Sequence, residues 1–542
     1  MNDKLKNNSF IRQAGILVIA GIVVKIIGTL YRSPLSAIIG DLGNGYYAPA
    51  FNTYLIILTI SSYSIPTAVS KVVSQRLALK EYRNAQRVFV CAIYYVLVVG
   101  VIASLVLFFF ADLFVEPNSA KVLRVFTPTI VLYGFLGVLR GYFQAHKTMV
   151  QTSISQILEQ ITNATVSVLA AYLLIRSVGN ANANTKAVYG AAGSAIGTGS
   201  GVLVALLFMW AVYMLNRKGI YAKIKRDKTK HVETYSEIYK VIILMVTPII
   251  LSSFIYNANT MVNQTVFIKM LIHFKGMTET DISTMFGVFS QKAVVLANIP
   301  IAIGAAMSSA MIPTISSAYA KGELTSINDK IASGIRTTML VSIPAAVGLA
   351  VLAEPIVWLL FPQKNSVLLT SNLLRGMSIT VIFYQISTIS NGVLQGIGKV
   401  NRPVINASIS LIIQTMVLVP MLIYTDLNIY ALVIATIVYS FSICALNQLG
   451  VKKYLGYKQE YLKTFIAPLA SSLLMGIIAF GTYEGIYYFI NSNSISLVMS
   501  ILMAVIVYFT AIIKIGGVKE EELIGMPKGY LIIKLAKRVK LL

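Results

Sequence analysis

Runs of about 20 apolar residues recur from one end of this 542-residue chain to the other. A helix needs roughly 17–25 such residues to cross the hydrocarbon core of a bilayer, and a helix satisfies its own backbone hydrogen bonds there. The runs therefore predict an all-α polytopic membrane protein. We predict fourteen transmembrane helices, over residues 13–31, 46–66, 88–110, 122–141, 150–175, 188–215, 240–262, 285–312, 337–360, 372–394, 403–424, 430–450, 464–490 and 495–514.

The charge content agrees with a membrane protein. Charged residues make up 12% of the chain, whereas about 25% is usual in soluble proteins. A net charge of +25 would suggest a nucleic-acid partner in a soluble protein. Here the excess of basic residues in cytoplasmic loops explains it, so we expect no nucleic-acid partner. The first apolar run lacks a small-residue cleavage site behind it and is interpreted as a retained helix.

The distribution of basic residues predicts the orientation. With the N-terminus inside, and with residues near the end of a span counted with the adjoining segment, 34 of the 45 Lys and Arg residues fall on the cytoplasmic side and 9 outside. Lys25 and Lys292 lie deeper within spans. Cytoplasmic loops of membrane proteins carry such an excess. Both termini are therefore predicted to be cytoplasmic. The basic segment 216–239 is predicted to be a cytoplasmic linker between two halves of the chain.

The two halves contain an internal repeat. Residues 137–155 and 392–410 align without gaps at an offset of 255, with seven identities in nineteen positions. "IPTAVS" (65–70) and "IPTISS" (312–317) repeat at an offset of 247. Six spans separate the members of each pair, so the repeat is parallel. We predict two parallel six-helix lobes plus two extra helices, divided into an N-terminal lobe (1–215), the linker (216–239), a C-terminal lobe (240–450), and helices thirteen and fourteen with a basic cytoplasmic tail (451–542).

Small residues and cysteines are predicted to have packing roles. The glycines at 193, 197 and 201 fall on one helix face, a spacing that lets helices approach closely in lipid. Cys91 and Cys444 lie inside apolar runs and are predicted to be buried and unpaired. The three histidines have no metal-ligand spacing, and we predict no metal or cofactor.

Lys25 lies in the middle of an apolar run, thirteen residues after Arg12 and about 20 Å further along a helix. A charge near the bilayer centre costs roughly 2.5–3.5 kcal/mol on insertion scales. One interpretation is that Lys25 extends to the headgroups and has no further role. The other is that it lines a central cavity with Lys292, which occupies the opposite half of the repeat. A cavity lined by two cations would suit an anion such as a lipid-linked pyrophosphate.

Other polar groups within or near the spans complete the candidate set. Each asparagine alone also fits a helix-packing hydrogen bond. Glu159, about one third of the way along span five, is predicted to be a gating or structural residue that is neutral or paired, with Lys147 near in sequence. The predicted substrate-binding residues are Lys25, Arg32, Asn52, Asn259, Asn263 and Lys292.

The sequence offers little support for an enzyme. "GIGK" (396–399) lacks the earlier glycine and the following Ser or Thr of a phosphate-binding loop. A membrane glycosyltransferase or polymerase would need acidic residues on a substantial outer loop, and the predicted outer loops are short. We therefore expect a transporter.

The chain resembles the multidrug/oligosaccharidyl-lipid/polysaccharide exporters, and within them the lipid II flippases of the MurJ type and stage V sporulation protein B. The resemblance rests on the arrangement of six, six and two helices, on "VKIIGTLYRSPLSAIIGDLGNGYY" (24–47) and on "IPTAVSKVVSQR" (65–76). The flippases have two basic residues around a glycine in the first helix, which Lys25, Gly28 and Arg32 match with one extra residue. Their basic residue in helix eight falls on Lys292. The sequence departs at helix two, where Gram-negative members have a basic pair and this chain reads "YLIILTIS" (54–61).

The resemblance implies translocation of undecaprenyl-pyrophosphate-linked peptidoglycan precursor across the bacterial plasma membrane by alternating access. Helices thirteen and fourteen would form a groove for the lipid tail, and the membrane potential or a cation gradient would supply energy. Expected partners are the lipid-linked oligosaccharide, membrane lipids and the cell-wall synthesis machinery. The alternatives are export of another lipid-linked polysaccharide unit and cation-coupled drug efflux; drug antiporters typically need an intramembrane acid, which spans one and two lack.

Overall fold

A computed structural model describes residues 20–21, 23–63, 65–146, 148–227, 229, 232–361 and 363–517. Over these ranges the chain is helical, and 12 of its helices are long and apolar enough to cross a membrane. They coincide with predicted spans two to six and eight to fourteen. The first part of span one, 13–19, and residue 22 lie outside the described residues. Span seven lies within a continuous helix of 41 residues. The count of fourteen crossings therefore stays a prediction.

The described chain forms two compact units, of which the first ends at Gly287 and the second begins at Val288. In the first unit, residues 20–21 and 23–30 are helical. The helices that follow are α1 (Arg32–Leu58), α2 (Ile65–Ala78), α3 (Tyr82–Phe109), α4 (Ala111–Phe114), α5 (Pro117–Ala145), α6 (Met149–Ser177), α7 (Ala183–Lys225), α8 (Tyr235–Lys275) and α9 (Glu279–Val288), with a π-helical turn at Thr59–Tyr63.

The second unit begins at the end of α9 and continues through a π-helical turn at Phe289–Ala293. Another π-helical turn, Leu462–Ile466, precedes its last two helices. The helices of this unit are α10 (Val294–Ala320), α11 (Leu324–Val351), α12 (Ala353–Leu360), α13 (Lys364–Gly396), α14 (Asn401–Tyr424), α15 (Ile429–Leu455), α16 (Ala467–Ile490) and α17 (Asn493–Lys514).

The basic segment between the two predicted lobes is largely helical. Helix α7 continues to Lys225, and α8 begins at Tyr235, so the connection between them is only 226–234. Helix α8, which the sequence places in the second lobe, packs against α1, α2 and α3 of the first unit. The compact units thus divide later in the chain than the predicted lobes, whose boundaries stay a prediction based on the repeat.

Each unit is built around one long helix. In the first unit α5 packs against α2, α3 and α7, while α6 and α7 share the most extensive contact. In the second unit α13 packs against α10, α11 and α15, and α14 pairs with α15. The same order of neighbours therefore occurs in both units, which supports the internal repeat.

The repeated sequence segments contact each other in both units. A methyl group on Gly141 would lie 2.6 Å from the carbonyl oxygen of Pro66, so only glycine fits there. Gly396 is its equivalent at an offset of 255, and a methyl group there would lie 3.2 Å from the carbonyl oxygen of Ile312. Ile312 adjoins Pro313, the equivalent of Pro66. The two sequence matches thus reflect one packing contact that is formed twice.

The turns that begin α3 and α11 also match. Both helices have 28 residues, and they follow Glu81 and Glu323, whose backbone angles agree within a few degrees. The preceding residues, Lys80 with φ 61° and Gly322 with φ 75°, both lie in the left-handed region. This region favours glycine, so the second copy has the residue suited to the turn and the first copy tolerates a lysine.

An ion pair repeats at the opposite ends of these helices. Arg124 of α5 pairs with Asp112 of α4. In the second unit, Arg375 of α13 lies 3.5 Å from Glu354 of α12. Exposed pairs of this kind contribute about 0–1 kcal/mol. The two pairs join corresponding helices, although Arg375 lies one turn before the position that the offset of 255 assigns to Arg124.

The predicted glycine face is confirmed. Methyl groups on Gly193 and Gly197 of α7 would lie 2.4 Å from the backbone nitrogens of Ala171 and Ser167 on α6, respectively. A methyl group on Gly201 would lie 2.5 Å from the carbonyl oxygen of Glu159. The three glycines therefore allow direct backbone contact between α6 and α7. Cys91 and Cys444 are buried and unpaired, as predicted.

Replacing Gly197 by alanine should destabilise the protein by about 1–3 kcal/mol, because the added methyl group forces α6 and α7 apart. Gly219→Ala is the matched control on the same helix, since no atom lies within 4 Å of the position of its methyl group. Thermal unfolding in detergent should show a lower midpoint for Gly197→Ala alone. Equal midpoints for the two variants would contradict the packing described here.

Candidate functional site

Lys25 lies in the helical segment that precedes α1, and its side chain is exposed. The hydroxyl of Thr29 donates to its backbone carbonyl at 3.0 Å, as in ordinary helix geometry. Arg32 is the first residue of α1 and is half-exposed. Exposure fits a cavity-lining lysine and equally a lysine that extends to the headgroups, so the role of Lys25 stays a prediction.

The predicted asparagines take part in contacts on and between α1 and α8. The amide of Asn52 on α1 donates to the side-chain oxygen of Gln264 on α8 at 3.0 Å. Gln264 in turn lies 3.4 Å from the carbonyl of Pro49 in α1. The side-chain amide of Asn263, the residue before Gln264, donates to the side-chain oxygen of Asn259 one turn earlier on α8 at 3.4 Å. Interhelical hydrogen bonds in membranes contribute about 0.6 kcal/mol on average, so Asn52 and Gln264 help to hold α8 on the first unit.

Lys292 lies in the π-helical turn of the second unit and is completely buried. Its ammonium donates to the side-chain oxygen of Gln363 and to the hydroxyl of Ser366, both at 2.9 Å. It also lies 5.5 Å from the ring centre of Phe361, within range of a cation–π interaction. A buried ammonium needs such partners. In this conformation Lys292 is therefore held by the α12–α13 connection and closed to water.

Glu159 is paired in the structure. Its carboxylate accepts a hydrogen bond from the guanidinium of Arg140 on α5 at 2.7 Å. The guanidinium also donates to the hydroxyl of Ser155, on the same helix as Glu159, at 2.9 Å. Arg140 is 7% exposed and Glu159 24%, so the arginine is the more deeply buried partner. The pair joins α5 to α6 across their short connection.

The partner of Glu159 differs from the one suggested by its position in the sequence. Lys147, the nearby cation in the sequence, lies outside the described residues. The charge count assigns Arg140 to a cytoplasmic segment, whereas the structure buries it inside α5. Nineteen residues separate Arg140 from Glu159, and only the antiparallel packing of α5 and α6 brings them together. At the equivalent positions, 255 residues later, the second unit has Gln395 and Gln414.

Several residues of these contacts were not predicted as candidates. They are neutral or lie near helix ends, and their partners are distant in the sequence. The repeat alignment pairs Arg140 with a glutamine, a charge difference that could have drawn attention to it. The unpredicted residues are Arg140, Ser155, Gln264, Gln363 and Ser366.

Comparison with known proteins identifies the family. A family model described as lipid II flippase MurJ matches residues 80–510. The chain belongs to the lipid II flippase MurJ family. The lipid II flippase MurJ of Bacillus subtilis (strain 168) is 25% identical over 499 residues, which cover 88% of each chain. Stage V sporulation protein B of the same strain is 22% identical over 544 residues, 98% of this chain and 100% of that protein.

Solved structures show that the MurJ family fold extends over most of the chain. A lipid II flippase MurJ in an inward closed conformation has a TM-score of 0.68 at 16% identity, over 91% of this chain and 97% of that one. An inward-facing multidrug resistance MATE transporter has a TM-score of 0.61 at 13% identity, over 80% and 94% of the chains. At these identities the likeness shows the shared fold alone.

Replacing both Arg140 and Glu159 by glutamine should preserve stability better than replacing Glu159 alone. Glu159→Gln leaves the buried Arg140 without its carboxylate, which costs about 3–5 kcal/mol. Arg140→Gln should lower the stability less, because the carboxylate that it leaves without a partner, Glu159, is more exposed to solvent. The double variant reproduces the residues of the second unit. Thermal unfolding in detergent should give midpoints in the order wild type, double variant, Arg140→Gln, Glu159→Gln; additive losses in the double variant would contradict a direct pair.

Proposed function

We propose that this chain translocates lipid II, the undecaprenyl-pyrophosphate-linked peptidoglycan precursor, from the inner to the outer leaflet of the bacterial plasma membrane. The observation that carries the proposal is the match of residues 80–510 to the lipid II flippase MurJ family. Transport proceeds by alternating access, and no covalent chemistry is required of the protein. Complementation of a bacterium that has lost its lipid II flippase tests this function directly.

Lys25 and Arg32 are proposed to contact the pyrophosphate first. Lysine and arginine bind phosphate by charge-assisted hydrogen bonds, which are about twice as strong as neutral ones. The exposure of Lys25 and Arg32 leaves at least part of each side chain accessible to an incoming anion. Asn52, Asn259 and Asn263 would add polar contacts along α1 and α8.

Lys292 is proposed to bind the pyrophosphate at a later stage. Its ammonium is occupied by Gln363 and Ser366 and has no access to water in this conformation. Binding therefore requires an exchange in which phosphate oxygens replace these two acceptors. During such an exchange the buried ammonium always keeps hydrogen-bond acceptors, so the free-energy cost of releasing it from Gln363 and Ser366 is lower.

The energy source is proposed to be the membrane potential or a cation gradient, with no bound cofactor. Glu159 is proposed as a gating or structural residue, because its carboxylate is already neutralised by Arg140. If so, the Arg140→Gln/Glu159→Gln variant keeps the same dependence on potential and ion gradient in whatever transport remains.

The lipid tail and membrane lipids are proposed to contact α16 and α17. These two helices pack on each other, and they present many large apolar side chains outward, among them Ile477, Phe480, Val498 and Leu502. Apolar side chains that face outward along whole helices suit contact with acyl chains. The cell-wall synthesis machinery is a further proposed partner.

Lys25→Ala should reduce lipid II transport by about tenfold or more, because it removes a charge-assisted contact worth about 1.5–3 kcal/mol. Lys25→Arg should retain much of the activity, since arginine also binds phosphate. Complementation at matched protein levels measures both variants. Lys218→Ala, which removes an exposed lysine from the end of α7, is the control. Full growth support by Lys25→Ala would exclude this role of Lys25.

We also propose that the chain crosses the membrane fourteen times with both termini in the cytoplasm, as the distribution of basic residues indicates. A cysteine introduced at Lys225 should then be protected from an impermeant thiol reagent added outside, whereas one at Lys275 should react. Cys91 and Cys444 are buried and should give little background labelling. The reverse pattern would show that the topology is inverted.

A further inference from the structure

A cavity of about 330 Å³ lies where the basic segment between α7 and α8 meets the start of α3. Its lining combines two guanidinium groups, two phenols, an amide and three aliphatic side chains, and none of the described residues that line it is acidic. The lining residues are Arg83, Gln86, Arg87, Val90, Tyr221, Ile224, Val232 and Tyr235. All of them belong to the first unit, so this cavity is formed within one compact body.

The segment 226–234 is fastened to α2 and α3 by Glu233. The carboxylate of Glu233 binds the guanidinium of Arg76 through two contacts, at 2.5 and 3.1 Å. Its backbone N–H donates to the side-chain oxygen of Asn84 at 3.0 Å, and its carbonyl accepts from Arg87 at 2.6 Å. Glu233, the acid that adjoins the lining residue Val232, is therefore already neutralised by Arg76, which does not line the cavity.

Asp227 is fastened at the other end of the same segment. Its carboxylate accepts a hydrogen bond from the backbone N–H of Arg83 at 2.6 Å and from the backbone N–H of Thr229 at 2.7 Å. Burial alone would raise the pKa of the Asp227 carboxyl. The hydrogen bonds from Thr229 and Arg83 have a larger opposite effect, so the pKa lies below its usual value. The carboxylate stays ionised at neutral pH, and this contribution to folding is lost only as the pH falls through the lowered pKa.

The two arginines of the cavity have donors to spare. Arg87 uses one N–H on the carbonyl of Glu233 and lies 5.3 Å from the ring centre of Tyr235. Arg83 is exposed; Asp227 accepts a hydrogen bond from its backbone N–H, and the Arg83 guanidinium interacts with that carboxylate only through its charge. A guanidinium carries five N–H donors arranged to match the oxygens of a phosphate. The cavity therefore presents guanidinium N–H groups that can donate hydrogen bonds to a phosphate, next to the segment that joins α7 to α8.

The apolar side of the cavity continues into surfaces that face lipid. Val90 is followed on the same face of α3 by Tyr94, Val98 and Leu105, all exposed. On α7, exposed apolar residues lie two to four turns before Tyr221, among them Met214, Trp210 and Leu207. A ligand with a phosphate at one end and hydrocarbon at the other could occupy both surfaces. A free phosphate would use only the first.

We propose that this cavity binds the headgroup of an anionic phospholipid of the cytoplasmic leaflet, with Arg83 and Arg87 on the phosphate and the acyl chains along α3. The site goes beyond the transport of lipid II and does not depend on it. Basic pockets between membrane helices at the cytoplasmic side are suited to anionic headgroups, and tyrosines are favoured at that depth. Because Val232 and Tyr235 complete the cavity, a bound lipid would also strengthen the attachment of the segment that joins α7 to α8.

Native mass spectrometry of the full chain, purified in detergent and supplied with phosphatidylglycerol or phosphatidylcholine, tests the proposal. Wild type should retain phosphatidylglycerol in preference to phosphatidylcholine. A cation near an anionic headgroup strengthens binding about fivefold, so Arg83→Gln should weaken retention about fivefold and Arg83→Gln/Arg87→Gln about twentyfold. Lys218→Ala/Lys225→Ala removes the same charge from α7 outside the cavity and should leave retention unchanged.

Three outcomes would overturn the proposal. Equal loss of phosphatidylglycerol in the Lys218→Ala/Lys225→Ala control would show general attraction to a basic surface. Unchanged retention in the folded double arginine variant would exclude the cavity. Retention of inorganic pyrophosphate that depends on Arg83 and Arg87, without retention of phosphatidylglycerol, would assign the cavity to a soluble anion. Circular dichroism verifies folding, and Arg83→Gln alone preserves the bond from Arg87 to Glu233 if the double variant does not fold.

Discussion

Direct backbone contact between helices at glycine is the constraint on which the rest of the structure depends. Helices in lipid gain little from burying apolar side chains, because the surrounding acyl chains are equally apolar. Close approach supplies the packing instead, at Gly193 and Gly197 between α6 and α7 and at Gly141 between α5 and α2. These contacts bring polar groups of neighbouring helices within bonding distance: the hydroxyl of Ser167 on α6 donates to the carbonyl oxygen of Ser194 on α7 at 3.2 Å.

The buried charges of the two units are stabilised in different ways. Arg140 is matched by a carboxylate in the first unit. Lys292 in the second unit is bonded to Gln363 and Ser366 and lies over an aromatic ring. An ion pair resists the loss of either partner, whereas neutral acceptors are exchanged more readily for another oxygen ligand. This difference fits the proposal that Lys292 binds and releases an anion during transport.

Much of the fold could be predicted from the sequence because the signals are long or repeated. Apolar runs determine the helices, and the spacing of Gly193, Gly197 and Gly201 determines the face on which α7 packs. The contacts of the candidate site were harder to predict from the sequence. Gln264, Gln363 and Ser366 are neutral residues whose partners lie 71 to 215 positions away in the sequence. Neither hydropathy nor spacing contains information about such pairings, which arise only when the helices pack.

The α5–α6 hairpin occurs twice in this chain, once with the charged pair Arg140 and Glu159 and once with Gln395 and Gln414 at the equivalent positions. The neutral version shows that the hairpin needs no ion pair in order to form. The ion pair is therefore a feature of the first copy and is not a requirement of the hairpin. A chain assembled from two second halves would keep the order of helices and the glycine contact at Gly396. It would lack the close contacts at Gly193 and Gly197, and also the carboxylate of Glu159 that pairs with the fourth span. The two copies of the hairpin therefore differ in the charge that they place between neighbouring helices.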